Sequence, residues 1–148
     1  MKIADQEDAA AVMEFAQKAV IFDAAGRVLL VARVTRSGSF LKWELPGGRV
    51  KLHENLDEGF MREVWEEVGL DIIAGAPVHL WSWKTDSGGQ IIAVARMARA
   101  KPGTVTDAHR VPGDNLGEIR WFTVPELGEI PMDDAYREAI SHALAMQG

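Results

Sequence analysis

One segment constrains this chain more than any other. From Leu56 to Val68 the apolar residues recur at helical spacing. Gly69 follows, where a glycine commonly ends a helix. At about 100° per residue, Leu56, Phe60, Val64 and Val68 share one arc, the face expected against a sheet. Glu67 falls inside that arc, Glu63 lies beside it, and Glu66 is one step further round. Three carboxylates therefore converge at i, i+3 and i+4, one of them pointing toward the core side. A run of glutamates is ordinarily a solvated helix face. Here, like charges at these spacings weaken a helix by about a few tenths of a kcal/mol per pair, and a carboxylate on an apolar arc is costly to bury alone. Arg62 can partner Glu66 or Glu58 at i+4 but cannot neutralise them all. A hard divalent cation, which takes oxygen ligands, resolves the conflict.

The flanking sequence places this helix among strands. Lys18–Asp23 and Arg27–Val34 are apolar, β-branched runs around Ala24-Ala25-Gly26, the pattern of a β-hairpin. Residues 6–16 read as a short helix. Thr35–Leu41 is a loop, Pro46-Gly47-Gly48 a sharp turn, and Arg49–Leu52 a short strand. Val78–Thr85 and Gln90–Ala98 are strands around Asp86-Ser87-Gly88-Gly89, and Ile119–Val124 is another. Lys101–Gly117 is polar and rich in Gly and Pro; so long a loop in a compact domain is often functional. Asp133–Met146 reads as a helix with Tyr136, Ala139, Ile140, Ala143 and Leu144 on one face. The sequence therefore reads as α/β, a mixed sheet with helices packed on it.

Bulk properties narrow the function. The chain of 148 residues suits one domain. No apolar run approaches the roughly 20 residues of a membrane span, and the start lacks a secretory pattern. The absence of cysteine excludes a thiolate metal site and fits the cytoplasm, where the chain is expected. Net charge is -6 with no basic stripe, which speaks against a nucleic-acid partner. An acidic protein acting on a small polyanion needs neutralisation, and a divalent cation supplies it.

Read from Gly48, the spacing is Gly, five residues, Glu54, seven residues, Arg62-Glu63, the aliphatic Val64, one residue, Glu66-Glu67, one residue, Gly69 and the aliphatic Leu70. This resembles the Nudix box of MutT-like hydrolases at every fixed position. The resemblance implies a Nudix fold, with a mixed β-sheet sandwiched between α-helices, as a single domain over residues 1–148. It implies metal-dependent hydrolysis of a phosphoanhydride bond in a nucleoside diphosphate linked to another moiety. That substrate could be a nucleoside triphosphate, a nucleotide sugar, ADP-ribose or a dinucleotide. In this family the residues matching Glu63, Glu66 and Glu67 hold Mg²⁺ or Mn²⁺, often with the carbonyl of Gly48, and the one matching Glu63 is either a ligand or a group that helps deprotonate the attacking water. Arg62 orients a neighbouring glutamate, Glu54 adds negative charge, and many relatives are homodimers. Lys51 and His53 occupy free positions of the box.

Residues outside the box are candidates of another kind. Arg33 and Arg36 are phosphate-binding candidates across the loop from the metal site. Glu118 is a candidate additional base, with His109 and Asp114 as alternatives in or beside the long loop. Trp81 and Trp83 alternate on one strand face, suited to packing under a helix or to stacking on a base. Trp43, Trp121 and Phe122 read as structural. Two other activities compete with the hydrolase: a Nudix-fold sensor that binds a nucleotide without cutting it, and a capped-RNA processing enzyme. The complete box opposes the first, and the acidic charge opposes the second.

Overall fold

The computed structural model describes residues 12–147. Strands β1 (Met13–Ile21), β2 (Val28–Val34), β3 (Phe40–Glu44) and β4 (Gly47–Arg49) precede helix α1 (Leu56–Val68). Strands β5 (Ile72–Lys84), β6 (Gln90–Ala100) and β7 (Leu116–Phe122) follow, then a short 3₁₀ turn over Val124–Gly128 and helix α2 (Asp134–Gln147). The strands divide over two sheets, a four-stranded one ordered β4-β1-β6-β5 and a three-stranded one ordered β3-β2-β7. The larger sheet is mixed, since β1 runs parallel to β6 and antiparallel to β4.

The apolar runs of β1 and β2 follow from this position. Each is an inner strand of its sheet, covered on both faces, so alternation gives way to continuous burial. Ala19, Ile21, Leu29 and Val31 pack on one side against Phe60, Val64 and Val68 of α1. Val20, Val28 and Leu30 pack on the other against Tyr136, Ala139, Ile140 and Ala143 of α2. Successive strand residues thus feed opposite cores, and the sheets lie between the helices. Phe60, Val64 and Val68 are fully buried, each contributing about 1.5–3 kcal/mol.

Four expectations change in detail. The chain does turn at Ala24-Ala25-Gly26, where Asp23 N–H donates to Arg27 O at 2.9 Å and Phe22 bridges Val28. Beyond that bridge the two strands part into different sheets, because each has full-length partners elsewhere, so no hairpin forms. Met13–Ala16, expected at the end of a helix, belong to β1 and pair with Gln90–Ala93; tertiary pairing overrides local preference here. The remainder of that expected helix, residues 6–11, lies outside the described residues. Gly47 and Gly48 do more than turn the chain, since they form most of β4. Strand β5 begins earlier than expected, and shifts of register around Pro77 carry it past the proline.

Candidate active site

Helix α1 has defined ends. The Asn55 side chain accepts from Glu58 N–H at 3.1 Å, which satisfies one of the orphan donors of the first turn. At the other end Gly69 adopts φ 76° and donates to Trp65 O at 2.9 Å. A Cβ at Gly69 would run into Thr106. These ends fix which way the glutamates face.

Strand β4 comes close to that face through its glycines. Gly47 has φ 136°, and a Cβ there would overlap the Gln17 carbonyl of β1. A Cβ on Gly48 would collide with the Glu63 carboxylate. Gly47 N–H donates to Glu67 Oε1 at 3.0 Å, and Lys18 Nζ donates to Gly47 O at 3.1 Å. Gly48, Glu63 and Glu67 open into one cavity of about 460 Å³. Lys18, Arg33 and Arg49 bring positive charge to its wall, while Glu44 and Asp114 add carboxylates.

Burial sets the electrostatics. Glu67 is 6% exposed. Desolvation pushes its carboxyl up to about 7, against the pull of Lys18 and the Gly47 N–H. Burial also raises Glu63, with Glu66 and Asp114 adding to the rise and Arg62 opposing it. Tyr136 on the cavity wall is raised as well, chiefly by burial.

Arg62 organises the outer carboxylates. It grips Glu54 through Nε to Oε2 at 2.7 Å and Nη2 to Oε1 at 3.0 Å. Its Nη1 reaches Glu63 Oε1 and both Glu66 oxygens at 3.2 Å. The Arg62 bonds, with the Lys51 N–H, hold the Glu54 carboxyl down to about 2. Glu54 in turn lies against the helix only because position 59 is glycine, since a Cβ there would sit 2.6 Å from Glu54 Oε1.

The expected metal ligands are partly assembled. Among the described residues no three acidic or histidine side chains are grouped so as to hold an ion. Glu66 is turned to Arg62 and lies outside the cavity lining, and Glu67 is turned to the Gly47 N–H. The donors facing the cavity nevertheless fit a hard divalent cation. They are oxygens, and the buried Glu67 is a group whose ionised form such a cation would favour.

The other candidates separate clearly. Arg33 lines the cavity, but its fork is spent on Glu44 Oε1 at 3.2 and 2.9 Å and on Asp114 O at 2.6 Å. Arg36 is exposed on the β2–β3 turn and does not reach the cavity wall. Glu118 is not at the cavity either; it is exposed on β7 and paired with Arg120 at 2.8 Å. The alternation of β7 puts Glu118 on the same face as Arg120, which lies over Trp43 and Phe122. His109 stacks on Trp65 with centroids 3.8 Å apart. Asp114 is the one of these acid–base candidates that the fold brings to the cavity. Trp81 packs edge-on against Tyr136 at 5.6 Å, whereas Trp83 lines the cavity and is 39% exposed. Trp43 is buried against Phe122. Lys18, Glu44 and Tyr136 escaped the reading of the sequence, although a lysine inside the apolar run Lys18–Asp23 was a visible signal.

The NUDIX domain family profile matches residues 15–143, and the chain belongs to this family. Its members act on nucleoside diphosphate derivatives and generally use divalent metal ions. A MutT-like protein of Streptomyces ambofaciens is 40% identical over 104 residues, covering 70% of this chain and 60% of that protein. A CTP pyrophosphohydrolase of Escherichia coli is 31% identical over 74 residues, 50% of this chain and 53% of that protein. The chain thus spans less than two thirds of these curated relatives. A MutT Nudix hydrolase from Burkholderia pseudomallei superposes with a TM-score of 0.72 at 25% identity, covering 88% of this chain and 98% of that one. No helix among the described residues is long and apolar enough to cross a membrane.

Proposed function

We propose that this chain is a metal-dependent pyrophosphohydrolase that cuts a phosphoanhydride bond in a small nucleoside diphosphate derivative. The cavity carries this reading, because Gly48, Glu63 and Glu67 share it with Lys18, Arg33 and Arg49. Glu63, Glu66, Glu67 and the Gly48 carbonyl would hold Mg²⁺ or Mn²⁺. When bound, the cation offsets charge on phosphate oxygens and acidifies water.

The protein's own groups do the rest. Arg62 keeps Glu63 and Glu66 oriented through the Glu54 clasp. Lys18, whose Nζ also holds the Gly47 carbonyl, and Arg49, whose Nη1 is paired with Glu14, bring positive charge toward substrate phosphates, and Arg33 shapes the wall. Asp114, rather than Glu118, is the loop carboxylate placed to take a proton from an attacking water. Trp83 presents an open ring on which a base can stack. The E. coli relative's name puts nucleoside triphosphates first among the substrates to try.

The test is product release from nucleoside triphosphates, nucleotide sugars, ADP-ribose and dinucleotides with Mg²⁺ or Mn²⁺, for wild type and Glu67→Gln. One substrate class is expected to be cut, with the substitution lowering the rate about 100-fold or more. If nothing is cut while a nucleotide still raises the melting temperature, the chain is a binding module and the proposal falls.

A further inference from the structure

Between β6 and β7 the chain crosses residues 101–115 without a helix or strand, yet this segment delivers Asp114 to the cavity. One of its side chains reaches both neighbouring elements. Arg110 Nε donates to Glu67 O at 3.1 Å, Nη1 to Leu116 O at 3.0 Å, and Nη2 to Gly117 O at 2.7 Å. One planar fork thus joins the last turn of α1, the loop and the start of β7, a geometry that lysine cannot reproduce. The guanidinium also meets the negative end of the helix dipole.

The stretch downstream of this anchor is held in one shape. Gly113 at φ 95° and Asn115 at φ 52° flank Asp114, both left-handed. Asp114 O accepts from Arg33 Nη1 at 2.6 Å, and Asn115 O accepts from Val34 N–H at 3.0 Å. Upstream, Thr106 N–H donates to Val68 O at 2.9 Å and His109 stacks on Trp65. The upstream contacts fasten the segment to α1 without Arg110. What Arg110 adds is a hydrogen-bonded connection from α1 across to β7, and Asp114 lies inside the span it closes.

We propose that Arg110 is a positioning residue whose three carbonyl contacts set the Asp114 carboxylate at the cavity. This rests on the hydrolase reading above, with Asp114 as the proton acceptor. Arg110 touches no reacting group and acts through Asp114.

The experiment is a double-mutant cycle in steady-state kinetics with Arg110→Ala, Asp114→Asn and the pair, alongside Arg110→Lys. Mn²⁺ affinity is followed by electron paramagnetic resonance, and melting temperature is measured for each variant. Arg110→Ala is expected to lower kcat about 10-fold or more, with KM and the Mn²⁺ Kd changed by less than about 3-fold. In the Asp114→Asn background the same change is expected to cost less than about 2-fold, because the group it positions is gone. Millimolar guanidinium is expected to restore part of the Arg110→Ala rate, whereas an equal concentration of sodium chloride is not. Arg110→Lys keeps the charge without the fork, so it is expected to fold and still lose turnover.

Multiplicative effects of the two substitutions overturn the proposal. So does an active wild type beside an equally active Arg110→Ala, or an Asp114→Asn variant with full activity. A wild type that cuts no substrate removes the hydrolase reading and this one together, which separates the two failures.

Discussion

Replacing Glu67 by glutamine is expected to stabilise the metal-free protein at alkaline pH and to erase its response to divalent cations. Burial lifts the folded carboxyl to about 7, with Lys18, the Gly47 N–H and Arg33 opposing the rise and Glu63 adding to it. In the unfolded chain the same carboxyl titrates near its ordinary 4.5. Below pH 4.5 both states hold the proton. Between 4.5 and about 7 the unfolded chain has released it while the folded protein retains it, so rising pH erodes stability. Above 7 the folded state carries the full cost of a buried anion. A separation of about 2.5 pH units, at about 1.36 kcal/mol each, amounts to about 3 kcal/mol. For a domain of this size that is roughly 6–12 °C in melting temperature. Glutamine keeps an acceptor for the Gly47 N–H and carries no charge. Thermal melts in EDTA from pH 4.5 to 8.5 should therefore coincide at the acid end, with the variant pulling ahead between pH 4.5 and 7 and holding a constant lead above 7. Millimolar Mg²⁺ at pH 8 should raise the wild type and leave the variant unmoved. Parallel curves across the whole range, or equal Mg²⁺ responses, would refute the placement of a strained buried carboxylate at the metal site.

Gly59→Ala is expected to destabilise by about 1–3 kcal/mol in urea melts, because its Cβ meets the Glu54 carboxyl. Helix propensity alone would give a gain of about 1 kcal/mol, so the sign decides. Arg62→Lys loses the two-pronged grip on Glu54 and is expected to lower turnover about 10–100-fold. The depressed Glu54 carboxyl stabilises the fold above pH 4.5 and loses that effect only as pH falls toward 2. Acid unfolding of Arg62→Lys, followed by circular dichroism, should consequently begin at higher pH than in the wild type.

Helix α1 was legible in the sequence because its period, its glycine stop and its misplaced glutamate all lie within one short segment. Strands β1 and β2 were legible as apolar runs for the same local reason. Their pairing was not, since a short turn between strands looks alike whether they stay together or part. The cavity wall was hidden for a related reason. Lys18, Glu44 and Tyr136 come from β1, β3 and α2, and only the topology brings them together. Asp114 and Glu118 are both acidic residues flanking the same glycine-rich stretch. The left-handed turns at Gly113 and Asn115 aim the first inward, and the pleat of β7 aims the second away. That difference rests on two backbone dihedrals, whose only trace in the sequence is a glycine and an asparagine, the residue types that tolerate positive φ.

The division of the strands into two sheets has a mechanical consequence. The cavity draws Lys18, Gly47 and Gly48 from one sheet and Arg33 and Glu44 from the other, so it straddles the seam between them. A ligand seated there would act as a rivet across that seam. Slippage of one sheet against the other would blunt the site well before either sheet unravelled. Occupancy would register as slower amide hydrogen exchange along the facing strands, as a brace rather than a change of shape.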